Sequence, residues 1–146
     1  MKRIVFDNPE TGIASVIIPA PGVDINEEHA RLTARGVLPV DAEIVDTADV
    51  PTDRTFRNAW KHDKTTAPQK VMVDMPMAKE VAHARRRTKR AEEFAPLDVQ
   101  ATIPAEATAA ETKRQAVRDR HAQIQTDIDA ASTPDELKAI IDRGGI

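Results

Sequence analysis

Ile44–Trp60 reads IVDTADVPTDRTFRNAW, and after a short polar gap Lys70–Val81 reads KVMVDMPMAKEV. These two stretches divide the chain by kind. Ala42–Asp46 has the composition of a strand, Val50-Pro51-Thr52-Asp53 that of a turn, and Val71–Val73 that of a last strand. Phe56, Ala59 and Trp60 form an apolar knot, read as a single helical turn or an irregular loop lying on a sheet. His62–Gln69 reads as a polar loop. Pro76 then stands where a proline is tolerated, in the first turn of a helix capped by Asp74 or Met75. Strands come before this point and helices after it, which gives an α+β chain.

Working back to the N-terminus, Lys2–Phe6 and Ile13–Ile18 flank the turn signal Asp7-Asn8-Pro9-Glu10-Thr11-Gly12, so a β-hairpin is expected, closed off by Pro19 and Pro21. Asp24-Ile25-Asn26-Glu27 has capping-box spacing, and the helix it opens should end at Gly36. The N-terminal part, about 1–75, is thus a small antiparallel sheet with one helix. Working forward, 76–146 reads as a helical hairpin or coiled-coil-like helices at about 76–95, 105–131 and 134–143. The first should stop before Pro96. The second starts at Pro104 or at the capping-box spacing Thr108-Ala109-Ala110-Glu111, and the last opens on Thr133-Pro134-Asp135-Glu136. Val117, His121, Ile124, Ile128 and Ala131 recur at alternating spacings of four and three, a heptad seam with charged flanks. Its partner is either the preceding helix or another copy of the chain.

Composition narrows the function classes. Only 3% of the 146 residues are aromatic, with one Trp, and 31% are charged, for a net charge of −3. A core so poor in large rings relies on Val, Ile, Leu and Ala, and a thin core of this kind suits a protein completed by its neighbours. The small negative charge argues against nucleic acid as the main ligand. With no cysteine there is no disulfide, thiolate metal site or cysteine nucleophile. No apolar run approaches the roughly 20 residues of a membrane-spanning helix, and Asp7 interrupts any signal-peptide core.

No constellation of catalytic residues stands out. His29, His62, His83 and His121 lack metal-ligand spacing, and His121 in the seam reads as a register-fixing polar residue. Ser15 lies in a strand and Ser132 beside a cap; the glycines sit in turns and helix ends rather than in a phosphate loop. Asp41, Glu43, Asp46, Asp49 and Asp53 read as outward strand and turn positions. The basic run Arg85–Arg90 spreads around a helix, and residues 71–95 carry six basic against four acidic side chains, with no aromatics interleaved for stacking. The expectation is a non-enzymatic protein without cofactor or metal. Phe56, Arg57 and Trp60 are candidate interface residues because Arg and Trp favour binding hot spots, although a lone Trp also suits the protein's own core. Val117, His121, Ile124 and Ile128 are the candidates on the helical side.

The islands Met1–Phe6, Asp49–Trp60, Val73–Glu80, Ala95–Asp98 and Thr133–Lys138 resemble small bacteriophage proteins associated with tails and tail fibres, some of them described as tail-fibre assembly factors. The chain departs from that pattern at Leu97–Ala107. The resemblance implies phage morphogenesis: a virion structural protein, made in the host cytoplasm, that docks on a larger tail or tail-fibre protein. Self-association through the helices is expected with it, and a trimer would match trimeric fibres. A transient tail-fibre assembly chaperone, absent from the finished particle, is the alternative.

Overall fold

The computed structural model describes residues 1–146 and is an α+β chain of two compact units, Met1–Asp74 and Met75–Ile146. In the first unit β1 (Lys2–Asp7), β2 (Ala14–Ile17) and β3 (Glu43–Asp46) form an antiparallel sheet in the order β2-β1-β3. Ile4 pairs with Ile17 and Ile44, and Val5 with Val16 and Glu43. Side chains alternate between the two faces of a strand, so this register sorts the apolar residues into two layers.

One face carries Ile4, Phe6, Ile17 and Ile44, and is covered by Leu32 and Ile25 of α1 (Ile25–Ala34) together with Leu38 and Ala42. Asp24 caps α1 by accepting from the N–H groups of Asn26 and Glu27 at 2.8 and 3.1 Å. The other face carries Val5, Val16 and Val45 and packs on a two-stranded antiparallel sheet, β4 (Trp60–Asp63) and β5 (Lys70–Val73), through Trp60 and Val71. Covered on both sides, the centre of β1 is apolar without alternation: Ile4 and Val5 are both fully buried.

Strand β4 corrects the loop expected at His62–Gln69. Trp60 and His62 point inward while Lys61 is exposed, which is a strand's alternation. Its four residues include three polar ones, so the pattern carries almost no hydrophobic signal, and Trp60 sits at its start rather than inside a helical turn.

The second unit is helical: α2 (Met75–Ala101), α3 (Ala107–Ala130) and α4 (Pro134–Gly144). Helix α2 runs through Pro96, beyond the expected stop. Pro96 and Glu92 are both exposed, so the Glu92 carbonyl that loses its helical donor is left on the water side. Helix α3 begins at Ala107 with Glu106 at its N-cap, and the Thr108 box is not used. The Thr133 box is formed as expected, and the helix it opens closes on Gly145 in the left-handed conformation at φ 62°.

Polar and ionic contacts join α2 and α3 in an antiparallel pair. Lys79 donates to the Asp129 carbonyl at 2.7 Å, His83 Nε2 lies 2.9 Å from Asp129 Oδ1, and Arg114 meets Asp98 at 3.2 Å. The heptad seam faces inward. Ala78 and Ala82 of α2 and Leu137, Ile140 and Ile141 of α4 are buried in the same unit as Val117, Ile124 and Ile128. No helix is long and apolar enough to cross a membrane.

Candidate functional site

The seam residues do not form an open surface. Val117, His121, Ile124 and Ile128 are at most 9% exposed within the single chain. Of the two partners open for the seam, the chain's own helices or a second copy, the chain's own helices cover it. His121 lies 3.1 Å from Glu93 Oε2, and Arg120 pairs with the same carboxylate. Its Nδ1 has no partner. Phe56 and Trp60 are likewise core residues, 4% and 3% exposed. Of the candidate interface residues only Arg57 reaches the surface, being half-buried.

Around Arg57 the chain builds a groove. Thr47 begins a short 3-10 turn, Thr47–Asp49, and both its N–H and its hydroxyl donate to the Met1 carbonyl, at 2.8 and 2.7 Å. That fastens the segment after β3 alongside the start of β1. Val50 is extended, and Asp53 then turns the chain by accepting from the N–H and hydroxyl of Thr55 at 2.8 and 2.6 Å. A second 3-10 turn, Arg57–Ala59, delivers Trp60 into β4.

The result is a cleft of about 280 Å³ whose apolar wall includes Ile18, Val50 and Trp60 and whose cationic side chains are Arg3, Arg54 and Arg57. Arg3 belongs there by register: it sits opposite Val45, two residues before Val5, on the Trp60 side of the sheet. Ile18, just past the end of β2, is 65% exposed. Arg57 is held by two contacts. Its Nη1 donates to the Ala14 carbonyl at 2.7 Å, and its guanidinium lies 4.6 Å from the centre of the Trp60 ring.

No carboxylate balances these charges. Arg3 donates only to the neighbouring Lys2 carbonyl, at 3.3 Å, and none of the three arginines forms an ion pair. Burial, and after it the positive charge of Arg54, lower the Arg57 pKa from its ordinary value. Guanidinium remains charged under all working conditions, so the cleft keeps its positive charge. The opposite end of the same sheet face differs. There Lys64 pairs with Asp41 and lies 3.8 Å from Asp7, and Asp7 accepts from the His62 N–H at 2.9 Å. Its hydrogen bond to Lys64 holds the Asp41 carboxyl below the usual range.

No histidine, aspartate and glutamate cluster in the chain has a geometry that would hold a metal ion. His62 is buried, with Nε2 3.7 Å from Glu43 Oε2. Sequence reasoning identified Arg57 and Trp60 and missed Arg3, Arg54, Val50 and Ile18. Arg54 and Arg57, three apart in the DRTFR segment, were a visible signal; Arg3 is brought to them only by strand pairing. No family model, curated protein or solved structure matches this chain.

Proposed function

We propose that this protein is a non-enzymatic bacteriophage virion component, associated with the tail or tail fibre, that docks on a larger virion protein through the arginine-flanked groove beside Trp60. The observation that carries the docking role is the convergence of three arginines without an acidic partner on an open cleft with an apolar wall. Such a cleft is complementary to a partner of opposite charge, and desolvated Arg beside an aromatic ring is the composition of an interface hot spot. The phage setting is supported by the sequence resemblance, and its Asp49–Trp60 island supplies Val50, Arg54, Arg57 and Trp60 of the groove. The helical unit, closed on itself, serves in this reading as a spacer or support and not as the adhesive surface.

The test is quantitative mass spectrometry of purified particles of the phage that encodes the chain, measured against the major tail protein. A fixed stoichiometric copy number is the expected result. Abundance in the infected-cell lysate with absence from the particles would replace the virion role with that of a transient tail-fibre assembly chaperone.

A further inference from the structure

The groove's charge, shape and position also specify what enters it. We infer that the cleft takes an extended acidic peptide segment of a partner protein, with a carboxylate held by Arg54 and Arg57 and a neighbouring apolar side chain against Val50 and Ile18. The inference rests on the docking reading above and deepens it by naming the chemistry of the occupant.

Three observations support it. First, the cations are concentrated against the trend of their own unit. Residues 1–74 carry nine Lys and Arg against twelve Asp and Glu, yet three of the five arginines in that stretch line this one cleft. Several arginines elsewhere in the chain are paired with carboxylates: Arg31 with Glu28 at 2.7 Å, Arg118 with Glu111 at 2.7 Å, Arg143 with Asp127 at 2.6 Å. Second, most of the N–H donors of Arg3, Arg54 and Arg57 are unused. A guanidinium offers five, and Arg57 has one in a hydrogen bond, to Ala14. The unused edge suits the two oxygens of a carboxylate, which Arg binds in bidentate fashion.

Third, the wall of the cleft is apolar and the cleft opens at an exposed isoleucine. A phosphate or nucleic-acid strand has no use for Val50, Pro51 and Ile18, and an overall charge of −3 opposes a polyanion. A segment alternating acidic and apolar residues satisfies both parts of the lining. The groove lies beside Val16 of the edge strand β2 and Ile18 just past its end, so an extended segment running along that edge is the conformation that suits it.

The sole tryptophan reports directly on occupancy, because Trp60 lines the cleft and Arg57 stacks on its ring. The full chain is titrated, following Trp60 emission, with a library of blocked hexapeptides alternating Asp or Glu with Val or Leu. The same peptides with Asn and Gln in place of the acids, inorganic phosphate and a single-stranded DNA oligonucleotide are run in parallel. Saturable quenching by acidic members of the library is expected, with the amide versions at least about tenfold weaker and the Arg54→Gln chain weakened by a similar factor. Arg54 is exposed, so its variant should retain the wild-type melting temperature. Absence of any peptide response, equal binding of acid and amide peptides, or preference for phosphate or DNA would each overturn the inference.

Copurification keeps the two readings apart. If wild-type chain copurifies with tail proteins and Arg3→Gln/Arg54→Gln does so equally well, docking stands on another surface and the acidic occupant is wrong. If the wild-type chain itself is found neither in particles nor with tail intermediates, the docking reading fails, whatever the peptides do.

Discussion

The cleft of the strand half and the α3–α4 side of the helical half treat their arginines in opposite ways. In the helical half Arg114, Arg118, Arg120 and Arg143 are each matched to a carboxylate of the same unit. In the strand half Arg3, Arg54 and Arg57 surround a cleft with no acid among them. A charge neutralised where it stands needs nothing further, whereas like charges gathered at an opening favour an anionic ligand. The comparison therefore directs attention away from the longest and most regular elements. The heptad seam belongs to the self-sufficient α3–α4 side, and in the basic run of α2 the half-buried Arg86 donates to the His121 carbonyl at 3.4 Å.

The largest effect should come from breaking that self-sufficiency. Ile128 is fully buried and Ile124 is 7% exposed, so Ile124→Asp with Ile128→Asp places two carboxylates in the interior of the three-helix unit. A loss of more than about 4 kcal/mol is expected, read as loss of helical circular dichroism at room temperature. Trp60 emission, which reports on the strand half, should stay that of a buried indole. Full helicity in the double variant would mean that the seam is dispensable.

The converse variant, Trp60→Ala, removes the largest side chain from the layer between the two sheets. It should lower the stability of the strand half by about 3–5 kcal/mol. Measured by loss of protection of β1 amides in hydrogen exchange, with α3 amides unaffected, it would show that the halves hold separate stores of stability. Equal loss of protection in both would merge them into one cooperative unit.

Between these extremes lies a direct comparison of paired and unpaired charge. Glu93→Ala leaves Arg120 without its partner and strips the buried His121 of its acceptor, and should destabilise by about 1–3 kcal/mol. Arg54→Gln, at an unpaired position, should change stability by less than about 0.5 kcal/mol. Chemical denaturation of each variant gives both numbers. If the two variants shift the midpoint equally, the contrast between structural and available arginines is unsound.

How much of this was legible in the sequence follows from the same physics. The hairpin β1–β2, the Asp24 and Thr133 caps and the α+β order rest on short-range signals, namely turn residues and oxygens that accept from nearby N–H groups, and these were readable. Strand β4 was not, because WKHD offers one apolar residue in four and acquires its alternation only when His62 is buried by its neighbours. Helix α2 outlasted Pro96 because the freed carbonyl is exposed, a fact about which face the proline occupies. For the site, Arg57 and Trp60 could be singled out by type. That Trp60 would be core and Arg57 its cover depended on the second sheet. Arg3 joined them through the pairing of β1 with β3, a contact across more than forty residues of sequence.

The smallest expected effect concerns the loop between β4 and β5, where charge is again satisfied locally, this time by hydroxyls. Asp63 accepts from the Thr65 hydroxyl at 2.6 Å, the Thr65 N–H at 2.8 Å and the Thr66 hydroxyl at 2.7 Å, and these bonds lower its pKa to about 2 from 3.8. The unfolded chain binds that proton more readily than the folded one, so stability rises with pH across this interval. The contribution is therefore fully present above about pH 4 and is lost as the pH falls through about 2. Asp63→Asn should melt slightly below the wild type at neutral pH, and the gap should close as both are acidified. Because hydrogen bonds to threonine lead the shift and the charge of His62 is its smallest cause, added salt should leave the gap nearly unchanged. Asp41, whose pKa is lowered by Lys64, should instead lose part of its contribution in salt, since that pair is half-exposed. A gap at Asp63 that persists unchanged down to about pH 2 would mean that the threonines do not hold the carboxylate ionised. The loop would then owe its shape to its backbone rather than to a satisfied charge.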